Sequence, residues 1–531
     1  MRSRGFVDAG LALLLVAIAI GIYRKVLRLW WMFDDPYHLN LISATPFRAL
    51  TTRVFWHQFS TPIFTPLLLM SLKLDLKYFG ARAEPFYIHQ LVAFALIAPL
   101  LYFVLRLWLH PAPAFAAALA SIVGVPVLSA VPLLMLRHYV EGAVFALASV
   151  LTYVIGVRGR RMSVSIVSAL LFLAAALCKE IYAPLIAVLA LIPEGTLRER
   201  FRALVPQAVA AAAYAGLRIF MIGLGMEAYG WAVDPAKRKM LIATLPLRAF
   251  AQLGGEQGGL ALALPLTLFA CIVIVALRFP RAIPLMIVGL AAALLPIIPV
   301  ATQLQPRWSF VLWFLVIACA AFAPRAMPRV GTAVFCAAIV AAFAVERIEW
   351  PRTYREYRRM SDETIVVAGL APGEVLRNPK TPAETMAQLE GFTHTAGQAF
   401  YDDLPLCDGR IPVRRLFGYD EQRHRIVETS RDVLTRSCSE VRPNAKLSLK
   451  MTFAADSSML WTAGPYTNGQ YAFILSEGVV TYDVPRVGGF RAPGLEHFNM
   501  RVRYTAPEGW RTYSPMLPVD VHGKPVVFER L

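Results

Sequence analysis

Two adjacent carboxylates open the chemical inventory of this sequence. They stand in Phe33-Asp34-Asp35-Pro36-Tyr37-His38, directly after the first long apolar stretch. Neighbouring carboxylates repel, so either one keeps its proton to higher pH or both share a divalent cation such as Mg or Mn. Either arrangement suits a general base for a hydroxyl nucleophile; a solvated acid pair in a loop is the plainer alternative. Three other polar places interrupt apolar sequence. Arg137-His138-Tyr139-Val140-Glu141 offers a third acid, although Glu141 at a helix start would also complement the helix dipole. His138 alone is a weak signal and reads first as packing at a membrane interface. Lys179-Glu180 breaks an apolar segment, and ionisable residues at membrane depth are functional candidates. There Lys179 could attract a phosphate with Glu180 holding it in place, or the two could form an internal salt bridge at a turn. Gln305-Pro306-Arg307-Trp308 places an arginine where it could grip a phosphate through paired hydrogen bonds or reach lipid headgroups. Together these are the groups needed to displace a phosphate from an anomeric carbon: a base for the acceptor and cations for the leaving group.

The elements that must position them are set by hydropathy. Of 531 residues, 57% are apolar and only 17% charged. With a mean hydropathy of +0.53, this is the balance of a polytopic membrane protein rather than a soluble domain. The net charge of +18, from 53 basic and 35 acidic residues, points to cytoplasmic loops of a membrane protein. Zinc-ligand spacings and basic runs interleaved with aromatics do not occur, so nucleic acid is not an expected partner.

Apolar stretches predict eleven spans. They lie near 9–31, 86–108, 113–136 and 139–157, then in two short arms within 163–193, and near 203–223, 259–277, 282–300, 308–324 and 330–346. Arg2 and Arg4 precede the first, which is too long for a signal peptide and reads as a retained anchor. The positive-inside rule puts the N-terminus in the cytoplasm, with Arg158, Arg160, Arg161, Arg198, Arg200 and Arg202 on the same side. Lys179 and Glu180 then fall at an outer turn, and Asp34, Asp35, Glu141 and Arg307 on that same outer face. Residues 34–85 form a long first outer loop whose aromatic and apolar patches suggest helices lying on the membrane surface. The outer loop 224–255 departs from the rule, because it carries Lys237, Arg238 and Lys239.

Beyond residue 350 the hydrophobic runs shorten and alternate, as in Lys446–Phe453, Gln470–Leu475 and Asn499–Tyr504. That pattern predicts a β-rich soluble domain over 350–531, of sandwich type, after a helical stretch near 350–362. Cys407 and Cys438 are the only cysteines there, a disulfide pair if the domain lies outside the cytoplasm. The fold class expected is thus a polytopic α-helical membrane domain (1–349) with a C-terminal β-rich domain.

Phe33-Asp34-Asp35, followed by Phe55-Trp56, Pro66-Leu67 and Tyr87-Ile88-His89, resembles the first outer loop and second span of GT-C superfamily membrane glycosyltransferases. The closest likeness is to TMTC-type and related protein O-mannosyltransferases. Cys178-Lys179-Glu180 is similar to their small-Lys-Glu motif, and Glu141 and Arg307-Trp308 to their second outer acid and Arg-aromatic pair. The match covers roughly residues 10–320. Thr65-Pro66 stands where that family usually has Arg-Pro, and the tetratricopeptide repeats of TMTC proteins are missing. The resemblance implies an inverting transferase using a polyprenyl-phosphate sugar donor, sometimes with a divalent metal nearby. Asp34 would be the base, with Asp35 as the less favoured choice, Glu141 would support the acceptor or metal side, and Lys179 and Arg307 would bind the donor phosphate. The acceptor could be a glycan, a lipid or a protein. The expected location is a bacterial inner membrane, with the C-terminal domain in the periplasm. The rival readings are a transporter or flippase for lipid-linked sugars and an O-antigen polymerase or ligase.

Overall fold

A helix needs roughly 20 apolar residues to cross the hydrocarbon layer, because it rises about 1.5 Å per residue. In the computed structural model eight helices among the described residues meet that length and apolarity: Gly5–Arg28, Ala83–Arg106, Leu134–Gly159, Leu197–Ile222, Ala261–Arg278, Pro280–Gln303, Pro306–Ala326 and Val330–Gly369. Three shorter apolar helices, Pro111–Ser121, Met162–Cys178 and Glu180–Leu191, accompany them. The structure describes residues 2–59, 63–223, 235–255, 258–393, 398–409, 411–454, 458–475, 480–491 and 497–530. Much of the expected outer loop 224–255 therefore lies outside the described residues. This is a multi-pass membrane protein with a β-rich C-terminal part. A multi-span helical region with a long first connection is the layout that the GT-C resemblance implies. Leu13, Leu170, Leu262, Leu266 and Phe269 are exposed on these helices, as expected of side chains that face lipid rather than water.

Two expected spans differ in detail. The stretch 113–136 is not one helix but Pro111–Ser121, Val125–Ala130 and a 3-10 turn Leu134–Leu136. The break lies at Gly124, where an added Cβ would sit 2.2 Å from the Trp313 ring. The Trp313 indole N–H donates to the Ser121 carbonyl at 2.9 Å, so the packed tryptophan satisfies a carbonyl that the broken helix leaves open. Pro126 then starts the next segment, where its missing N–H costs nothing. The last helix runs to Gly369 rather than ending near 346. Its extension is polar and is supported by ion pairs one turn apart, Arg358 with Asp362 and Arg359 with Glu363.

The described residues form two compact units. One lies within Met1–Leu29, Leu41–Ala228 and Lys239–Glu356, the other within Trp30–Asn40, Tyr229–Arg238 and Tyr357–Leu531. In the first unit the arm Met162–Cys178 ends at Lys179, whose extended backbone (φ −157°, ψ 136°) stops the helix. A 3-10 turn Glu180–Tyr182 and the helix Leu185–Leu191 follow. The turn expected at Lys179-Glu180 is present.

In the second unit β1 (Glu374–Arg377), β2 (Gln398–Phe400), β3 (Arg415–Asp420) and β4 (Arg425–Glu428) make a mixed sheet in the order β2-β1-β3-β4. Nine further strands make two antiparallel sheets: β5 (Leu447–Phe453), β6 (Ser458–Gly464), β7 (Gln470–Leu475), β8 (Val480–Val484), β9 (Val487–Arg491), β10 (His497–Thr505), β11 (Arg511–Tyr513), β12 (Leu517–Asp520) and β13 (Val526–Arg530). One sheet has the order β13-β5-β6-β9; the other has β11-β10-β7-β8, with β12 also on β10. Leu449, Met451 and Trp461 of the first pack with Tyr471, Phe473, Val502 and Tyr504 of the second in one core. Alternation along β5 and β10 puts these residues inward and Lys450, Arg501 and Arg503 on the other face. Cys407 and Cys438 form a disulfide with 5.4 Å between their Cα atoms.

Candidate functional site

The acid pair belongs to the second unit, where its two members do different work. Phe33 adopts φ +49°, an uncommon conformation for a residue with a side chain, and this turns the chain sharply after Met32. Across the turn the Asp35 N–H donates to the Met32 carbonyl at 2.9 Å. In return the Asp35 carboxylate accepts from the Met32 N–H at 3.0 Å. Asp35 is 3% exposed and opens the helix Asp35–Ala44, so its charge also meets the positive end of that helix. Asp34, at the tip of the turn, is exposed. The His38 ring Nδ1 lies 2.8 Å from the Asp34 carbonyl. Burial lowers the His38 pKa, against the opposing effect of the Asp34 charge. The turn is tied down within its unit: the Trp30 N–H donates to Ser361 at 2.8 Å, the Asn40 amide to the Gln388 carbonyl at 2.6 Å, and the Phe33 ring meets Tyr357 edge-on. Asp35 is thus committed to local structure, and Asp34 is the member of the pair free to meet a solute.

The remaining candidates lie in the first unit, around the first turns of the helix Arg137–Gly159. At 100° per residue Arg137 and Glu141 share a face, while Tyr139 points elsewhere. Facing Arg137 and Glu141 are Ser71 and Asp75, one turn apart on the helix Pro66–Phe79, and His89 of the helix Ala83–Ala95. Arg137, fully buried, binds Asp75 at 2.5 Å and the Phe86 carbonyl at 2.8 Å. The His89 ring bridges two acids, with Nδ1 3.0 Å from Asp75 and Nε2 3.4 Å from Glu141. Ser71 donates to Glu141 at 2.6 Å. Glu141 is therefore held in a network of two acids, an arginine, a histidine and a hydroxyl. Of these five residues, only Glu141 is expected from the sequence as a site residue. Ser71, Asp75 and the roles of His89 and Arg137 went unrecognised, although Ser71-x-x-x-Asp75 at helical spacing is a signal that could have found the first two.

On the other side of the same helix end, the Lys179 ammonium lies 3.2 Å from Glu180 and 6.0 Å from the centre of the Tyr139 ring. Arg307 stands one turn before Phe310, whose ring meets Tyr139 edge-on at 5.9 Å, so it approaches the same neighbourhood. Tyr182 fixes the turn by donating to the Tyr139 carbonyl at 2.5 Å, and its ring fills the space where Gly142 lacks a Cβ. Arg307 stacks its guanidinium 5.6 Å from the Trp308 ring centre, and its Nε is buried with no hydrogen-bond partner among the described residues. His138 is buried beside Tyr139, their rings 4.8 Å apart, in keeping with a packing role.

The metal expected at Asp34 and Asp35 fits these residues poorly. Asp35 is buried and its carboxylate accepts from the Met32 N–H, and no group of three or more His, Cys, Asp or Glu side chains placed to hold a metal occurs among the described residues.

No protein-family model matches the sequence, and no curated protein matches it. The chain is similar along most of its length to solved structures of the oligosaccharyltransferase of Archaeoglobus fulgidus. The apo form matches at 11% identity and a TM-score of 0.40, over 92% of this chain and 75% of that one. The complex with zinc and sulfate matches at 11% identity and 0.41, over 89% and 73%. The enzyme AglB of the same organism, in complex with an inhibitory peptide and a dolichol-phosphate, matches at 11% identity and 0.42, over 91% and 74%. Likeness at that level assigns this chain neither a site nor an activity.

Proposed function

We propose that the protein is an inverting glycosyltransferase that moves a sugar from a polyprenyl-phosphate donor to an acceptor hydroxyl. Asp34 accepts the proton of the acceptor hydroxyl, whose oxygen attacks the anomeric carbon. The bond from that carbon to the phosphate oxygen breaks on the opposite face, so the configuration inverts and the polyprenyl phosphate leaves as an anion. Lys179 and Arg307 hold the phosphate and stabilise the charge that grows on it. Glu141 supports the acceptor side. The acceptor class is a glycan, lipid or protein of the cell envelope. The site faces the periplasm of a bacterial inner membrane, with the N-terminus cytoplasmic and the C-terminal β-rich domain periplasmic.

The observation that supports this reading is the neighbourhood of Tyr139, which Lys179 approaches directly and Arg307 nears through Phe310, from distant parts of the sequence. The exposed, uncommitted Asp34 beside the buried Asp35 supports the choice of base. Asp34→Asn in reconstituted vesicles supplied with polyprenyl-phosphate sugars tests it. Losing a general base should slow transfer by about 100- to 10,000-fold, with the melting temperature unchanged. Turnover at the wild-type rate would remove Asp34 from the mechanism. Passage of the lipid-linked sugar across the bilayer without new glycosidic bonds would replace a transferase with a flippase.

A further inference from the structure

The second unit carries a cleft that none of the chemistry above uses. It lies between two loops at one end of the sandwich and has a volume of about 620 Å³. One loop joins β6 to β7 through Pro465–Gly469; the other joins β10 to β11 through Pro507–Gly509. Both are built to hold their shape. Gly469 has φ +90°, and an added Cβ there would fall 2.4 Å from the Thr505 carbonyl oxygen, so only glycine lets the two loops approach so closely. Gly509, at φ +96°, closes a turn in which its N–H donates to the Ala506 carbonyl and the Ala506 N–H donates to the Trp510 carbonyl, each at 2.9 Å. From below, Tyr504 donates to the Asn468 carbonyl at 2.5 Å and Tyr471 to the Tyr466 carbonyl at 3.1 Å.

Three aromatic rings form the wall. Tyr466 stacks on Tyr504 with 4.2 Å between ring centres, and Trp510 stands edge-on to both at 5.5 Å. Arg442, whose N–H donates to the Arg511 carbonyl at 2.7 Å, lays its guanidinium 4.6 Å from the Trp510 ring centre. Asn468 and Glu508 stand exposed on the rim. Tyr466 and Trp510 remain partly exposed although they are large and apolar.

We infer that this cleft is a binding site for a neutral oligosaccharide. A pyranose ring has two apolar C–H faces and a belt of hydroxyls. It matches a wall of fixed aromatic rings with a guanidinium, an amide and a carboxylate at the edge, since those groups both donate to and accept from hydroxyls. One arginine against one glutamate gives the lining no net charge, which disfavours a nucleic acid or another polyanion. The volume suits a segment of a few sugar units within the usual range of ligand pockets, about 300–1,000 Å³. Rings and loops that are already locked lose little entropy on binding. The site stands independently of the transferase reading, and gives the β-rich unit a substrate-class preference of its own.

The test uses the full-length protein in lipid nanodiscs free of sugar-based detergent. Soluble maltotetraose, cellotetraose, chitotetraose and mannotetraose are the probes, followed by saturation-transfer NMR. At least one should bind. Loss of a ring contact worth about 1.4 kcal/mol corresponds to a tenfold weaker affinity, so Trp510→Ala should weaken binding about tenfold or more. Arg442→Ala, at an exposed position outside the buried core, should weaken the same probe several-fold while leaving the melting temperature unchanged. That second variant separates loss of binding from loss of folding. The proposal is overturned if none of the four binds, or if the binding seen is the same in both variants as in the wild type.

Discussion

Arg137 and Asp75 offer the most direct measure of how the first unit is held together. Both are buried, with 2.5 Å between guanidinium and carboxylate. Removing one partner of a buried pair leaves the other charged in a medium that solvates it poorly, at a cost of about 3–5 kcal/mol. The two single changes should not cost the same. In Asp75→Asn, Arg137 still has the Phe86 carbonyl at 2.8 Å and Ser71 at 3.2 Å, so the loss should lie near the lower end, about 3 kcal/mol. In Arg137→Met, Asp75 and Glu141 remain around His89 with no guanidinium between them. That loss should approach about 5 kcal/mol, and one acid should take up a proton. The double variant Arg137→Met/Asp75→Leu removes both charges and should recover more than half of the larger loss. Reversible unfolding of the reconstituted protein, followed by tryptophan fluorescence, measures all three. Single variants within about 1 kcal/mol of wild type, the range of an exposed pair, would refute the reasoning. So would a double variant as unstable as the sum of the two.

Other changes probe other parts of the molecule. Asp35→Ala should cost about 1–3 kcal/mol, because it leaves the buried Met32 N–H without its acceptor, and should leave transfer largely intact if Asp34 is the base; thermal melts and transfer assays on the one variant check both. Lys179→Ala and Arg307→Ala should each lower kcat/KM for the lipid-linked donor by about tenfold or more, as the loss of one charged hydrogen bond implies. Steady-state kinetics would count against that role if kcat/KM stayed at the wild-type value. Reducing the Cys407–Cys438 bond, which spans 31 residues, should destabilise the second unit by about 3–4 kcal/mol, seen as a lower melting temperature with a phosphine reductant. Burial alone would raise the Asp403 pKa, but two bonds from Arg377, at 2.5 and 2.6 Å, and the Arg377 charge hold it below the usual carboxylate range. Its stabilisation is therefore complete above the unfolded value of about 4 and fades as the pH falls through the lower folded value. An acid titration of the fold should show this step, and Asp403→Asn should abolish it.

The candidate site is legible in the sequence wherever a polar residue stands out against apolar surroundings. Lys179-Glu180 is conspicuous because each side of it is a hydrophobic arm, and the turn is where that contrast places it. Arg307 is conspicuous in the same way. Asp75 was hidden, because a carboxylate between lysines in Leu72-Lys73-Leu74-Asp75-Leu76-Lys77 looks like a solvated helix face. Its partner Arg137 comes from 62 residues further along the chain, and no local pattern announces such a meeting.

Long apolar runs, two-residue alternation after residue 440 and the polar breaks between arms determined by themselves that the chain crosses a membrane repeatedly and ends in antiparallel sheets. Those features follow from helix rise, strand pleat and the cost of burying charge, which act over a few neighbouring residues. Only the tertiary structure decided that Asp35 is buried against the Met32 N–H while Asp34 stays exposed, that Trp313 packs where the expected helix breaks at Gly124, and that Glu141 is shared by Ser71 and His89. Each of these depends on a backbone turn or on a side chain from elsewhere in the chain. Packing in three dimensions settles them, because the energy of a buried ring or charge is set by what surrounds it rather than by what precedes it.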